Sequence, residues 1–128
     1  MQPPTGIDSL EIAEFATRQQ RVKERMAEQR LELLLITDPA NLYYLSGYNA
    51  WSFYTAQMMV LPLDGPPMLY MRHMDAHGAH RTASGVDPEQ IFGYPEEIVH
   101  RPDIHPGDWV ARHLRDLGFG RKLAVGYE

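Results

Sequence analysis

Residues 33–54, LLLITDPANLYYLSGYNAWSFY, decide the fold. The apolar run at 33–36 is too short for a typical helix and favours a strand, at 33–37, that is covered on both faces. Asp38 before Pro39 predicts a turn and a helix start, because proline fixes φ and its missing N–H costs nothing at the first helical position. Leu42 and Leu45 then point inward from a short helix, and Gly47 ends that helix with a left-handed cap.

The second half of this stretch is an aromatic loop at the carboxyl end of the first predicted strand. Its four rings are Tyr48, Trp51, Phe53 and Tyr54, with Asn49 and Ser52 interleaved. Ligand contacts tend to gather at this end of an open α/β sheet. Core packing has an equal claim on at least two of the rings, because large aromatic side chains are seldom exposed without a partner. We expect some rings to anchor the loop and others to face a pocket or a partner subunit.

Composition sets outer limits on the function. The 128 residues predict one domain, and no run approaches the roughly 20 apolar residues that a membrane span needs. The absence of cysteine excludes disulfides, thiolate metal sites and cysteine nucleophiles from this chain, and it fits a cytoplasmic protein. A net charge of −5 argues against nucleic acid as a partner, since phosphate binding requires a concentrated positive face.

Periodicity along the chain predicts the element order α-β-α-β-β-α-β-α-β. A helix at 9–30 precedes the first strand, and Asp64-Gly65-Pro66 joins a hairpin of strands at 57–63 and 67–72. A helix at 75–84 follows, capped by Asp75 and stopped by Gly85. A strand at 91–94, a helix at 108–117 and a strand at 122–125 complete the chain. This order predicts an α/β fold in which helices cover both faces of a mixed five-stranded sheet, with strand order 3-2-1-4-5.

Histidine offers the only candidate metal ligands of note. His73, His77 and His80 are spaced four and three apart, but a catalytic zinc site needs a third ligand and a general base. The glutamate of a HExxH motif is missing, and His73 is expected to precede the helix, so we predict no metal site. The chain also has no G-x-S-x-G elbow, no phosphate loop and no GxGxxG motif. No complete catalytic set is therefore expected.

Four segments together resemble the N-terminal domain of the creatinase/prolidase family. They are the helix pattern ExxxRxxRVKERM, the strand and turn LLLITDPANLYYLSGY, the hairpin with its Gly-Pro turn, and LAVGYE at 123–128. The resemblance covers residues 15–128 and implies a three-layer α/β/α sandwich whose sheet has the ribonuclease H-like motif. Within the family, residues 51–54 and 75–82 look most similar to ectoine hydrolase and related enzymes that act on small amide or amidine solutes.

The resemblance also implies where the chemistry lies. Such proteins carry their catalytic residues in a C-terminal pita-bread domain, where two aspartates, a histidine and two glutamates usually bind a dinuclear divalent metal site, although creatinase works without metal. That domain is absent from 1–128, so we expect no catalytic residue and no cofactor here. A strand ending in GYE normally leads to a further element, which predicts a longer parent protein. The domain itself is implied to support a homodimer and the rim of the neighbouring active site, with candidates Tyr48, Trp51, Phe53, Tyr54, Arg72 and His73.

The sequence thus predicts the non-catalytic N-terminal domain of a cytoplasmic hydrolase that cleaves a C–N bond, of the Xaa-Pro dipeptidase, ectoine hydrolase or creatinase type. In the parent, metal-activated water would attack the substrate carbon. Trp51, Phe53 and Tyr54 would help to enclose a small substrate, and Arg72 would pair with its carboxylate. Two alternatives remain open at this point. One is a stand-alone binding or oligomerisation module, and the other is a small zinc hydrolase that uses the three clustered histidines.

Overall fold

The structure, a computed structural model, describes residues 6–49, 55–120 and 123–128. Its elements are α1 (Gly6–Glu28), β1 (Leu33–Ile36), α2 (Pro39–Ser46), β2 (Met58–Pro62), β3 (Met68–Arg72), α3 (His73–Thr82), β4 (Ile91–Tyr94), α4 (Pro106–Leu114) and β5 (Val125–Tyr127). The predicted element order is confirmed. Trp51, Phe53, Tyr54 and Lys122 lie outside the described residues. Within the described ranges, no helix is both long and apolar enough to cross a membrane.

The five strands form one mixed sheet in the order β4-β3-β2-β1-β5. Strand β2 pairs antiparallel with β1 on one side and with β3, its hairpin partner, on the other. Strand β5 pairs parallel with β1, and β4 pairs parallel with β3. The predicted fold class and the neighbouring order 3-2-1 are confirmed. The fourth strand lies beside β3 and not between β1 and β5, because α3 follows β3 directly and returns the chain to that edge as a βαβ unit.

Alternation along the strands divides the core between the two faces of the sheet. On one face Ile36, Leu61 and Leu69 pack with α1, α2 and α3. On the other face Val60 and Tyr70 pack with Val110 of α4. Successive side chains of a strand point to opposite faces, so these apolar strands serve both clusters at once. The three-layer α/β/α arrangement follows.

The turn between β1 and α2 forms as the sequence predicts. The Asp38 carboxylate accepts from Ala40 N at 2.8 Å and caps a helix that begins at Pro39. Gly47 adopts φ 84°, a left-handed conformation that glycine reaches without a Cβ penalty, and its N–H donates to Tyr43 O. Leu42 and Leu45 are buried on the inner side of this helix. The β1–α2 unit is therefore specified locally.

Helix α3 begins two residues earlier than predicted, at His73 and not at Asp75. Asp75 is not its N-cap, because the cap position falls on Arg72, whose side chain makes no capping bond. Instead the carboxylate of Glu96 accepts from Met74 N at 2.7 Å, so the cap comes from 22 residues further along the chain. Gly93 provides the room, since a Cβ there would lie 2.7 Å from the Cα of His73. The helix can therefore start directly at the strand end.

The last helix and the last strand are also displaced from their predicted positions. Helix α4 starts at Pro106, because His105 accepts from Gly107 N at 2.9 Å and the Asp108 side chain accepts from His105 N. It ends at Leu114, and a wider turn continues to Phe119. Strand β5 occupies Val125–Tyr127, because the pairing with β1 begins where Glu32 N and Leu33 N both donate to the carbonyl of Ala124.

Candidate functional site

A partly buried ion pair lies where β3 ends and α3 begins. Arg72 Nε donates to Asp75 Oδ2 at 3.1 Å, and the two side chains are only 13% and 14% exposed. The spacing of three residues across the first turn of α3 brings the carboxylate back over the guanidinium. At this depth the two charges are screened less than a surface pair, so each needs the other. The pair fixes the carboxyl end of β3.

Tyr48 packs beside this pair and is 3% exposed. Its hydroxyl donates to Gln57 Oε1 at 2.9 Å, and its backbone N–H donates to Ser46 Oγ at 3.0 Å. Tyr48 is therefore one of the rings that anchor the aromatic segment, not one that lines a surface. The hydrogen bond between Tyr48 and Gln57 therefore links a residue that precedes the segment 50–54 to a residue that follows it.

Tyr94, at the end of β4, makes a second connection to the residues that follow 50–54. It is 1% exposed, and its hydroxyl donates to the carbonyl of Ala56 at 2.6 Å. Burial raises the pKa of Tyr94, a hydrogen bond with Thr55 opposes that change, and the Asp75 carboxylate adds to it. The two neutral phenol groups thus hold the start of β2 in place.

The two tyrosines and the ion pair form one electrostatic cluster, which we call the corner cluster: Tyr48, Gln57, Arg72, Asp75 and Tyr94. Burial raises the pKa of Tyr48 far above its ordinary value. The carboxylate of Asp75 adds to this rise, and the guanidinium of Arg72 opposes it. Both phenols therefore stay protonated donors at any physiological pH. The cluster can therefore position the backbone that leads into β2.

Of the six predicted site residues, the structure describes Tyr48, Arg72 and His73 and brings them to the same end of the sheet. Arg72 Nε is engaged with Asp75, so the ion pair fixes the position of the guanidinium at the end of β3. His73 is exposed at the first position of α3, with its ring centroid 5.2 Å from that of His77. The other three, Trp51, Phe53 and Tyr54, lie outside the described residues.

Two members of the corner cluster escaped sequence reasoning. Tyr94 looked like an ordinary strand residue and Gln57 like a strand start, and neither belongs to a recognisable motif. The available signal was positional, because Tyr94 ends a strand whose parallel neighbour ends at Arg72. In the described part of the chain, no three His, Cys, Asp or Glu side chains are grouped so as to hold a metal ion.

A second polar cluster ties the end of β5 to the turn after β1. The side chain of Glu128 accepts from Thr37 N at 2.6 Å and from Asp38 N at 2.5 Å, and its other oxygen accepts from Asn41 Nδ2 at 2.6 Å. Three donors thus converge on one carboxylate at the start of α2, where the helix dipole also favours negative charge. This contact fixes the direction in which β5 ends.

The mixed sheet, its two helical layers and the corner cluster at one end of the sheet define a three-layer α/β/α domain. Comparison with known proteins places it more closely, because the Creatinase/Prolidase N-terminal domain family matches residues 18–128. The chain belongs to this family. The expected resemblance is confirmed over nearly the whole length.

Individual relatives agree with this assignment. The chain is 44% identical over 116 residues to ectoine hydrolase of Halomonas elongata, and 43% identical over 103 residues to an uncharacterized hydrolase/peptidase of Sinorhizobium fredii. These alignments cover 90% and 80% of this chain but only 29% and 26% of those proteins. The chain therefore spans less than a third of the curated relatives that it matches.

Solved structures confirm the fold. A proline dipeptidase from Streptococcus pneumoniae superimposes with a TM-score of 0.65 at 20% identity, covering 86% of this chain and 72% of that one. Dipeptidase PepE from Mycobacterium ulcerans gives a TM-score of 0.64 at 23% identity, with 81% of this chain and 26% of that one covered. At these identities the likeness concerns the backbone alone.

Proposed function

We propose that this chain is the non-catalytic N-terminal domain of a hydrolase that cleaves a C–N bond in a small solute or dipeptide. The single observation that carries the proposal is the 44% identity to ectoine hydrolase, with the chain spanning 29% of that protein. Hydrolases of the Xaa-Pro dipeptidase and creatinase types are the other candidates for the parent protein. The parent is proposed to be cytoplasmic.

The catalytic groups of the parent are proposed to lie in a C-terminal domain. This proposal agrees with the chemistry of the corner cluster. Its phenols stay protonated, and its carboxylate, Asp75, forms an ion pair with Arg72. A dinuclear divalent metal site is also proposed to belong to that second domain, as the family resemblance implies. The contribution of this chain is then structural and substrate-facing.

The substrate-facing part is proposed to be the segment that carries Trp51, Phe53 and Tyr54, together with His73. The support comes from its surroundings, since Tyr48 anchors the residues before this segment and Tyr94 anchors those after it. A rim assembled from aromatic side chains needs fixed flanks, because residual motion would weaken its hold on a small substrate.

The domain is also proposed to contact a second subunit of a homodimer. The face formed by α1 and α2 exposes Tyr43 at 60%, Tyr44 at 49% and Ile12 at 40%. Arg18 is preorganised there, with its guanidinium 4.3 Å from the centroid of the Tyr44 ring and Nη1 donating to Tyr44 O at 2.9 Å. Tyrosine and arginine are the residue types enriched at the energetic centres of protein interfaces.

The rim proposal is tested in the longer natural protein that contains this domain. Trp51→Ala is expected to raise KM for ectoine or a Xaa-Pro dipeptide while kcat and metal content stay unchanged, because substrate contacts are lost without touching the reacting groups. Leu117→Ala, which removes a side chain that is 47% exposed and lies outside both proposed surfaces, is the matched control. A KM that rises equally in both variants, or in neither, would contradict a rim at 50–54.

The dimer proposal is tested separately by light scattering after size-exclusion chromatography. Replacing Tyr43 and Tyr44 by serine is expected to shift the longer protein towards monomer. Met74→Ser, which removes a side chain that is 60% exposed on α3, is expected to leave the mass unchanged. A dimer that survives the double replacement would remove the α1–α2 face from the subunit contact.

A further inference from the structure

Two histidines on α3, His73 of the proposed rim and His77, which the proposed function does not use, form an accessible pair. His73 and His77 are one helical turn apart and exposed, and their ring centroids are 5.2 Å apart with the planes at 77°. Among the described residues, neither ring takes part in a hydrogen bond or an ion pair. The ring nitrogens of both side chains are therefore available to a ligand.

We propose that His73 and His77 form a two-imidazole binding site for a late first-row divalent metal ion, Cu²⁺ or Ni²⁺. Side chains four residues apart lie on the same helical face, which is how paired histidines of a helix bind one metal ion. Besides the missing third ligand and HExxH glutamate, which concern a catalytic zinc site, the sequence argued against such a pair because His73 was expected to precede the helix. The start of α3 at His73 removes that objection.

The number of ligands selects the metal. Structural zinc sites need four protein ligands and catalytic zinc sites need three, and no group of three is present in the part of the chain that the structure describes. Cu²⁺ and Ni²⁺ accept two imidazoles in a square-planar arrangement that water completes, and Cu²⁺ binds most tightly of the divalent series. The pair therefore favours copper over nickel and both over zinc.

The backbone under the pair is fixed before any metal arrives. The Cα of His73 packs against Gly93, at 2.7 Å from the place where a Cβ would lie, so neighbouring β4 leaves the first residue of α3 little freedom. The Glu96 carboxylate at Met74 N places a negative charge at the helix start, which offsets the positive end of the helix dipole that would repel a cation. Only side-chain rotation is needed to bring two nitrogens onto one ion.

The test is calorimetric titration of the 128-residue chain with CuCl₂, NiCl₂ and ZnCl₂ in a non-chelating buffer. We expect one equivalent of Cu²⁺ per chain, with an electron paramagnetic resonance spectrum that shows coupling to two nitrogens. His73→Gln and His77→Gln should each weaken Cu²⁺ binding by at least about tenfold, since even outer-shell changes cost about 10–100-fold. His80→Gln, on the same helix, is the matched control and should leave the affinity unchanged.

Several results would overturn the assignment. They are a tighter affinity for Zn²⁺ than for Cu²⁺, the absence of saturable Cu²⁺ binding, or an equal loss in the His80→Gln variant. Because His73 and His77 are exposed, both variants should keep the far-ultraviolet circular dichroism of the parent. If His73→Gln unfolds, His77→Gln decides alone, and undiminished binding by that variant would refute the site.

Discussion

Removing the carboxylate of Asp75 should destabilise the domain far more than the loss of a comparable ion pair on the surface would. Hydrogen bonds to charged groups contribute about 1.5–3 kcal/mol, and breaking a fully buried pair costs about 3–5 kcal/mol. The side chains are 13% and 14% exposed, so solvent recovers part of that penalty. We therefore expect Asp75→Ala to lower the free energy of unfolding by about 2 kcal/mol.

The assay is urea denaturation of the 128-residue chain, followed by circular dichroism. With a slope of about 2 kcal/mol/M, the midpoint should fall by about 1 M. The matched control is Asp103→Ala, which removes a pair with Arg101 that is shorter, at 2.6 Å, but 53% and 60% exposed. That variant should leave the midpoint unchanged, because exposed pairs contribute little. Equal effects in the two variants would refute the reasoning that burial, not distance, decides the contribution.

Three further outcomes follow from the structure. Gly93→Ala should lower the free energy of unfolding by about 1–3 kcal/mol, because its Cβ would meet the Cα of His73 at 2.7 Å. Gly78→Ala, whose new Cβ would meet no atom of another element within 4 Å in the described part of the chain, should raise the free energy of unfolding by about 0.5–1 kcal/mol in the same urea assay. If Gly93→Ala proved the more stable of the two variants, the contact between α3 and β4 would be contradicted. Among the six tyrosines that the structure describes, burial raises the pKa of Tyr48, Tyr70 and Tyr94, so these three should resist ionisation at 295 nm until the protein unfolds. A tyrosine whose pKa is raised by folding stabilises the fold fully at any pH below its pKa in the unfolded chain, which is near 10. The free energy of unfolding should therefore hold up to that pH and fall above it. Seven tyrosines titrating together in the folded protein would exclude the buried phenols. Glu128→Ala should lower the free energy of unfolding by about 1 kcal/mol and accelerate amide exchange at Thr37 and Asp38. The control variant Glu97→Ala should do neither. Unchanged exchange in Glu128→Ala would show that this carboxylate does not bind the turn between β1 and α2.

The parts of the fold that the sequence predicts are those whose causes are local. Asp38, Pro39 and Gly47 start and stop α2 within nine residues, and the hairpin turn at 64–66 lies between two apolar runs. The displaced start of α3 depends on distant groups. Helix α3 begins early because Glu96 caps it and Gly93 admits it, and neither residue is near α3 in sequence. The place of β4 in the sheet also depends on that packing, so no local pattern specifies it.

For the candidate site, the sequence predicts its location better than its members. The aromatic stretch and the end of β3 were both indicated, and the structure brings Tyr48 and Arg72 together there. Which ring is buried depends on partners that are remote in sequence, such as Gln57 for Tyr48 and Ala56 for Tyr94. Hydrogen-bond partners of this kind leave no periodic signal, so only the folded chain shows them.

The central claim is that this domain accompanies a catalytic domain and does not catalyse hydrolysis itself. The direct measurement is the hydrolysis of ectoine and of a Xaa-Pro dipeptide by the 128-residue chain and by the longer natural protein, at equal molar concentration and with divalent metal supplied to both. We expect turnover of one of these substrates by the longer protein and none above background by the 128-residue chain. Turnover by the 128-residue chain would contradict the account.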